Sequence, residues 1–574
     1  MTGRQSKRRH ERRKAHVEKT RQGSRFGQIA LGTGVGMGAA LAMAAPASAQ
    51  DFTVTALNDS GTGSLRAAID DANTNTNAGS DRILFQSGLT GSIGLQSELV
   101  VSDDLEIEGP GADAITVDGH DTFGLFSVEN PAATMDFTLS GLTLFDGSSQ
   151  YYGGGIDAVN TNLTVNDSVL YSNNGQVGGA IYSGGNGQVG SDGSLTVDHS
   201  TLSGNTSGLG GAIAASGNIT VSYSTFDNNR ALQGGGAITA SGSQSDSTLT
   251  INQSTFNRNS GAFTGGAVAV IPGPYSEVDL SVQSSTISGN QAGFAGGGIA
   301  GGFTDADIEN SVIENNFAYY GPDLYSGTFA GVPGGGCGCY PETTFDSMFS
   351  FIGETADATI NSTVAGSNIL DTGDALLGSL ADNGGSTRTM AIGPDSPVAN
   401  KGASALTVDQ RDEKRPVEYP NIANSTAPGA NGADMGAFEL QYEEPPPPPP
   451  PVIDRPFLLL GSTPHRKKGT ATVRVKIPAA GAVNLVGYRI FKSSKRHFAA
   501  KGVYKFEVVP KGKNLKKKLN KTGKAKVLVK FRYTPDVGRT LAKGRLFPLF
   551  KGTKSKKAKP AALREWRSLG GPGN

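Results

Sequence analysis

Six stretches of the chain share one frame, aliphatic-x-x-Ser-x-apolar-x-x-Asn. The Ser column is Ser168, Ser200, Ser224, Ser254, Ser285 and Ser311, and the Asn column is Asn173, Asn205, Asn229, Asn259, Asn290 and Asn316. Three residues before each Ser stands Val165, Val197, Val221, Ile251, Val282 or Ile308; two after it stands Leu170, Leu202, Phe226, Phe256, Ile287 or Ile313. Copies follow at intervals of 32, 24, 30, 31 and 26 residues. A repeat of this period is one supersecondary unit stacked many times, each burying its apolar face against the next.

Within a copy the residues alternate, as in Leu195-Thr196-Val197-Asp198 and Leu249-Thr250-Ile251-Asn252, which is a strand with one buried face. After each Asn comes a turn and then a Gly pair with an aliphatic, as in Gly178-Gly179-Ala180-Ile181 and Gly210-Gly211-Ala212-Ile213. Glycine permits a corner or a close backbone approach there. Constant spacing inside the frame and variable spacing outside it predict stacked coils in register, with insertions in loops. The expected fold is all-β, a right-handed parallel β-helix. Stacking puts each Asn above the next, so the column should pass amide hydrogen bonds from coil to coil. The Ser column reads the same way.

Phe226-Asp227-Asn228-Asn229 and Phe256-Asn257-Arg258-Asn259, with Gly-Gly-Ala-Ile, resemble polymorphic outer-membrane-protein repeats, which implies a pectate-lyase-like helix. The other copies put Leu or Ile at the Phe position. Ser64-Leu65-Arg66-Ala67-Ala68-Ile69 has helical spacing and predicts a cap on the first coil; it resembles the Cys-Ser-Leu-Arg-Glu-Ala motif of some secreted β-helix proteins, with Gly63 for Cys and Ala67 for Glu. Ser379 to Thr387, Ser396-Pro397-Val398-Ala399, Asp409-Gln410-Arg411, Arg415-Pro416 and Asp434 to Glu439 resemble, in that order, the closing region of choice-of-anchor Q surface proteins. That resemblance implies a segment that ends the helix before a cell-envelope attachment. Asp409 and Arg411 read as a structural ion pair or turn.

The domain plan follows. Residues 1–49 read as a signal peptide, with Arg8, Arg9, Arg12, Arg13 and Lys14 before an apolar stretch and Ala47-Ser48-Ala49 as the cleavage site. Residues 50–440 are the helix with its cap and closing region, 441–452 a Pro-rich linker, and 453–574 a small antiparallel β-sandwich. The last resembles a Lys-rich, immunoglobulin-like module of secreted actinobacterial proteins.

The formal net charge of zero hides a split. Residues 453–574 hold 32 Lys and Arg against 4 Asp and Glu, a net +28; residues 50–452 hold 9 against 45, a net −36. Such a basic domain should draw polyanions. The expected location is extracellular or cell-surface. The expected partners are a cell-envelope polyanion or polysaccharide at the basic domain and a host or neighbour-cell ligand at the rod loops, with no specific nucleic acid and no transmembrane segment once the signal is removed.

Chemistry is sparse. Cys337 and Cys339 suit a local disulfide better than a zinc site. No residue is assigned a catalytic, cofactor-binding or metal-ligating role, and no cofactor is expected. The frame stacks Asn166, Asp198, Ser222, Asn252, Gln283 and Glu309 in one column and Asp167, His199, Tyr223, Gln253, Ser284 and Asn310 in the next; neither gathers the two carboxylates a sugar-cleaving enzyme needs. Tyr151, Tyr152, Tyr319 and Tyr320 are candidates for stacking on a sugar without cutting it. The leading expectation is therefore adhesion, display or carbohydrate binding; the alternative is a pectate-lyase-like polysaccharide lyase or glycoside hydrolase.

Overall fold

The structure, a computed structural model, describes residues 49–75, 79–185, 193–242, 246–273, 276–302, 305–326, 344–442, 457–486, 494–536 and 539–552. Nearly all of the signal segment, the Cys337 and Cys339 loop and the proline run lie outside them. The chain divides into two compact units, Met1–Tyr442 and Glu443–Asn574.

The first unit is a parallel β-helix. Its strands form four parallel sheets of twelve, eleven, nine and six strands, here A, B, C and D. One coil shows the plan: Ser194–Asp198 in A, Thr201–Ser203 in B, Thr206–Leu209 in D and Ile213–Ser216 in C. Each strand pairs in parallel with its counterpart one coil on. Inward residues stack like on like: Leu195 and Val197 lie in register with Ile219 and Val221, and Phe226 stacks on Phe256 at 4.6 Å and 3°. All are buried in one continuous core.

The two repeated polar residues close the corners of each coil. At the A–B corner, Asp167, His199, Tyr223, Gln253, Ser284 and Asn310 take left-handed backbone with φ of 43–50°. They are corner residues, so the column the frame predicts stands at the turn and not on a strand face. The Ser after each turns inward. Its N–H donates to the next Ser Oγ at 3.1–3.2 Å, from Ser168 through Ser311, and its own Oγ donates to the carbonyl two residues back. The ladder continues to Ser350, a seventh rung hidden because Ser347 replaces the aliphatic of the frame.

The Asn ladder stands at the B–D corner. From Asn173 to Asn290 each Nδ2 donates to the Oδ1 of the next Asn at 2.9–3.1 Å and to a main-chain carbonyl of the preceding coil; each Oδ1 from Asn205 onward accepts two donors, and Asn173 Oδ1 accepts Gly147 N–H. Every polar atom of these buried amides is satisfied, which is what makes their burial tolerable. The last rung is a carboxylate: Asn316 donates through N and Nδ2 to Asp323 Oδ1, and Glu354 N–H to Asp323 Oδ2. An acceptor-only group suits the end of a ladder whose donors all point that way.

The Gly pairs close the D–C corner. A Cβ on Gly179, Gly211, Gly236 or Gly266 would sit 2.0–2.2 Å from the carbonyl oxygen of Gly211, Gly236, Gly266 or Gly297, the corresponding residue one coil on. Backbone lies on backbone there, and only hydrogen fits.

Helix α1, Leu65–Thr74, is capped by Ser64, whose Oγ accepts from Ala67 N–H at 3.2 Å. It buries Leu65, Ala68, Ile69 and Ala72 against the first coils.

The closing region folds back on the helix. Residues 374–440 do not add further coils at the end; they run back along the outer face of sheet B as a strap. Thr387 Oγ1 donates to Tyr223 O, Gln253 Nε2 to Val408 O, Thr255 Oγ1 to Gln410 Oε1, and Gly436 N–H to Asn310 O. A second apolar cluster of Val312, Phe351, Ala375, Val398 and Met435 anchors it.

The second unit holds a three-stranded antiparallel sheet, Leu458–His465, Thr470–Ile477 and Gly502–Val508. Its four-stranded partner is Ser494–Phe498, Gly481–Val486, Lys524–Pro535 and Leu541–Phe550. Both bury alternate residues in one core, with Phe506 and Phe531 meeting at 6.3 Å. The Lys-rich run contains an element the sequence reading lacked, helix α2, Lys513–Thr522, which buries Leu515 and Leu519 and ends at left-handed Gly523.

Candidate functional site

The outward column of sheet A is as the frame predicts: Asn166, Asp198, Ser222, Asn252, Gln283 and Glu309 lie in register. No two carboxylates are neighbours in it. The corner column is largely covered by the strap. Asp167 at its start is exposed, and His199 is the member that meets charged partners: Nδ1 meets Asp198 at 2.8 Å, Nε2 meets Asp412 of the strap at 3.3 Å, and the ring stacks on Tyr223 at 4.5 Å. The hydrogen bond to Asp198, helped by Asp412, pushes its pKa up to about 9. An imidazolium held between two carboxylates ties strap to rod and is a poor base at neutral pH.

The other charges of the strap are structural. Asp409 and Arg411 form a buried ion pair at 2.7 Å; the carboxylate also accepts Glu439 N–H, and the guanidinium lies 3.7 Å over the Phe438 ring. Arg415 and Glu439, both fully buried, pair at 2.9 Å. Asp227 takes Arg258 from its own sheet and Arg388 from the strap. These pairs fix the strap to the rod and close it on itself.

Sheet C carries what the frame missed. Its strand Ile156–Val159 precedes the first full copy, and its outward Asp157 lies in register between Ser127 and Tyr182. Burial, then Glu98 and Glu129, push the Asp157 pKa up to about 7, and burial raises Glu98. Asp157 Oδ1 is buried with no hydrogen-bond partner. Tyr182 stacks on Tyr152 at 4.4 Å. Aligning Gly153-Gly154-Gly155-Ile156 with Gly178-Gly179-Ala180-Ile181 places Asp157 beside Tyr182, so the signal was in the sequence.

The four tyrosines do not gather. Tyr151 and Tyr152 lie at the sixth coil before Tyr319 and Tyr320, about 29 Å away at ~4.8 Å per coil. Two residues outside the frame join the second pair: Phe263 and Phe294 meet at 6.0 Å, and Phe294 meets Tyr320 at 5.2 Å.

In the second unit, strand alternation sorts charge from core. Lys524–Pro535 buries Ala525, Val527, Val529, Phe531 and Tyr533 and exposes Lys524, Lys526, Leu528, Lys530 and Arg532. Across the sheet, Lys530 faces Val486 and Gly544, and Arg532 faces Asn484 and Ala542. Asn484 in turn faces Lys495. The register thus sets no acid opposite these cations. A basic sheet face results, with Leu528 and Val486 exposed among the cations.

Among the described residues no group of three or more His, Cys, Asp or Glu is placed to hold a metal ion, and no helix is long and apolar enough to cross a membrane. Comparison with models of known protein families gives no match, and comparison with curated proteins gives none.

Proposed function

We propose that this chain is a secreted, surface-associated protein in which an acidic β-helix presents binding surfaces and the basic domain holds it to an anionic polymer of the cell envelope. The observation that carries the reading is the basic face of Lys524, Lys526, Lys530, Arg532 and Lys495, set on a rigid sheet and opposed by no acid in the register. Clustered cations on a sheet face raise the local concentration of a polyanion and bind it in a salt-sensitive way. The signal-like segment, the choice-of-anchor Q resemblance and the polymorphic outer-membrane-protein-like frame support the same reading. Attachment is tested by sedimenting the full chain with purified anionic wall polymer across a salt series. Binding should weaken as salt rises and be lost when Lys524, Lys526, Lys530 and Arg532 are changed to Glu; salt-insensitive retention, or retention by the variant, defeats it.

A second reading rests on Asp157. A carboxyl with its pKa near neutrality, beside Glu98 and an aromatic stack, has the acid–base character of a glycoside hydrolase. Release of reducing ends from a polysaccharide, lost in Asp157→Asn, would establish it; no release from acidic or neutral polymers retires it.

A further inference from the structure

The D–C corner carries a second repeat that the Ser and Asn frame conceals. Within three residues before the Gly pair, or before Gly321 where the pair is lost, stands a bulky apolar side chain: Leu209, Leu232, Phe263, Phe294 and Tyr320 on successive coils, with Val177 one coil and Tyr152 two coils farther toward the N-terminal end. From Leu232 onward these are well exposed, between 38% and 54%. Ring contacts link the last three, Phe263 to Phe294 at 6.0 Å and Phe294 to Tyr320 at 5.2 Å, with Tyr320 set one residue over, opposite Ala295 in the backbone register. Tyr319 and Phe317 beside them are more exposed still, 74% and 64%. Exposed rings in a row on a rigid scaffold mark an interaction surface.

Beside the ridge, on sheet D, runs a row of hydrogen-bonding side chains in strict register: Asn174, Thr206, Arg230, Ser260 and Gln291. The ridge and this row share a charge anomaly. Residues 174–180, 206–212, 230–237, 260–267, 291–298 and 317–323 contain one carboxylate, the buried Asp323 of the Asn ladder, and none that is exposed, although an even spread of the 45 carboxylates over residues 50–452 would place about five there. Acids border the strip at its ends, Asp157 beside Tyr182 and Asp357 accepting from Gly321 N–H. A strip kept free of exposed carboxylates in a rod of net −36 is poorly suited to a cation and, with so acidic a surround, to a polyanion. A second copy would bring another −36 alongside.

We propose that this strip binds an uncharged polysaccharide chain lying along the helix axis. Aromatic faces take the apolar faces of pyranose rings, and amides and hydroxyls take their hydroxyl groups. The coil spacing of ~4.8 Å is close to the advance of a pyranose chain per sugar, so one ring per coil offers successive stacking positions. The proposal deepens the reading of the rod as a presenting surface and is independent of the basic domain.

The test is retention of the full chain on cellulose, xylan, mannan and chitin particles at about 0.05 and 0.5 M NaCl, a range over which charge attraction is screened. Retention on at least one of these polymers, insensitive to salt, is expected. The triple variant F263A/F294A/Y320A should lose about tenfold or more in affinity, from roughly 0.5–1.5 kcal/mol per ring. An unchanged melting temperature shows the variant folded. Should it unfold, Gln291→Ala with Asn174→Ala reads the same strip through its polar row. Replacing the four sheet-face cations by Glu should leave this retention intact while abolishing anionic-polymer binding, which separates the two surfaces. Failure to bind any uncharged polymer, equal retention by the ridge and polar-row variants, or a dimer dispersed by the ridge variant overturns the proposal.

Discussion

Asn229→Ala probes the ladder at its middle. Asn229 is fully buried and makes four side-chain hydrogen bonds. Its Oδ1 accepts Asn205 N–H at 3.0 Å and Asn205 Nδ2 at 2.9 Å; its Nδ2 donates to Leu202 O and to Asn259 Oδ1, each at 2.9 Å. Truncation removes all four but does not orphan all partners equally. Asn259 Oδ1 keeps its bond from Asn229 N–H. Two donors of Asn205 are left without partners, while the carbonyl of Leu202 keeps its place in the parallel ladder with the next coil. An unsatisfied buried group costs about 1–3 kcal/mol, and a water admitted to the gap recovers part of it, so a net loss of roughly 2–5 kcal/mol is expected. Asn229→Asp should be at least as damaging, because its second oxygen faces two acceptors in place of the lost donors. Thr220→Ala, on the outer face of sheet A, should cost under about 0.5 kcal/mol. Urea unfolding followed by circular dichroism reads all three. A loss below about 1 kcal/mol for Asn229→Ala, or tolerance of Asn229→Asp, refutes the ladder as a stabilising element.

Three further outcomes follow from the same geometry. The rod should become more stable as pH falls: burial raises the Asp157, Glu314 and Asp434 pKa values to about 7 and Asp323 to about 6, so the folded state binds the extra protons between about pH 4 and 7 and gains stability through that window. His199 adds stability that is complete below about pH 6.5 and lost as pH rises through about 9, in the same direction, so a melting temperature lower at pH 5 than at pH 8 contradicts both. Gly236→Ala should prevent folding or cost more than about 3 kcal/mol, since its Cβ would meet Gly266 O at 2.2 Å; soluble protein with a wild-type melt counts against backbone stacking at that corner. Arg415→Ala should cost about 3–5 kcal/mol and release the strap, detected as new proteolysis within residues 374–440, because Glu439 is left buried and unpaired.

The helix was legible because stacking copies its demands into every coil. Val197, Ser200, Leu202 and Asn205 recur since each must match the coil above and below, so the frame exposes core and ladders together. The path of the strap was illegible for the converse reason. Its contacts with sheet B, such as Gln410 with Thr255, join residues 155 apart and leave no periodic trace. The corner geometry of His199 was also invisible, because a single left-handed residue interrupts strand alternation without changing the residue pattern. Asp157 and the Phe263 ridge were overlooked because their repeat is counted from the Gly pair, at variable distance from Ser and Asn. In the second unit the Lys run masked α2, although Leu515 and Leu519 one turn apart with Gly523 behind them are a helix signature.

The most direct test of the surface assignment is lysine acetylation footprinting of the full chain with and without an anionic wall polymer. Lys495, Lys524, Lys526 and Lys530 should lose reactivity together on binding, while Lys401 and Lys414 of the rod continue to react. Binding that leaves the sheet-face lysines as reactive as before, or that protects the rod instead, contradicts the account.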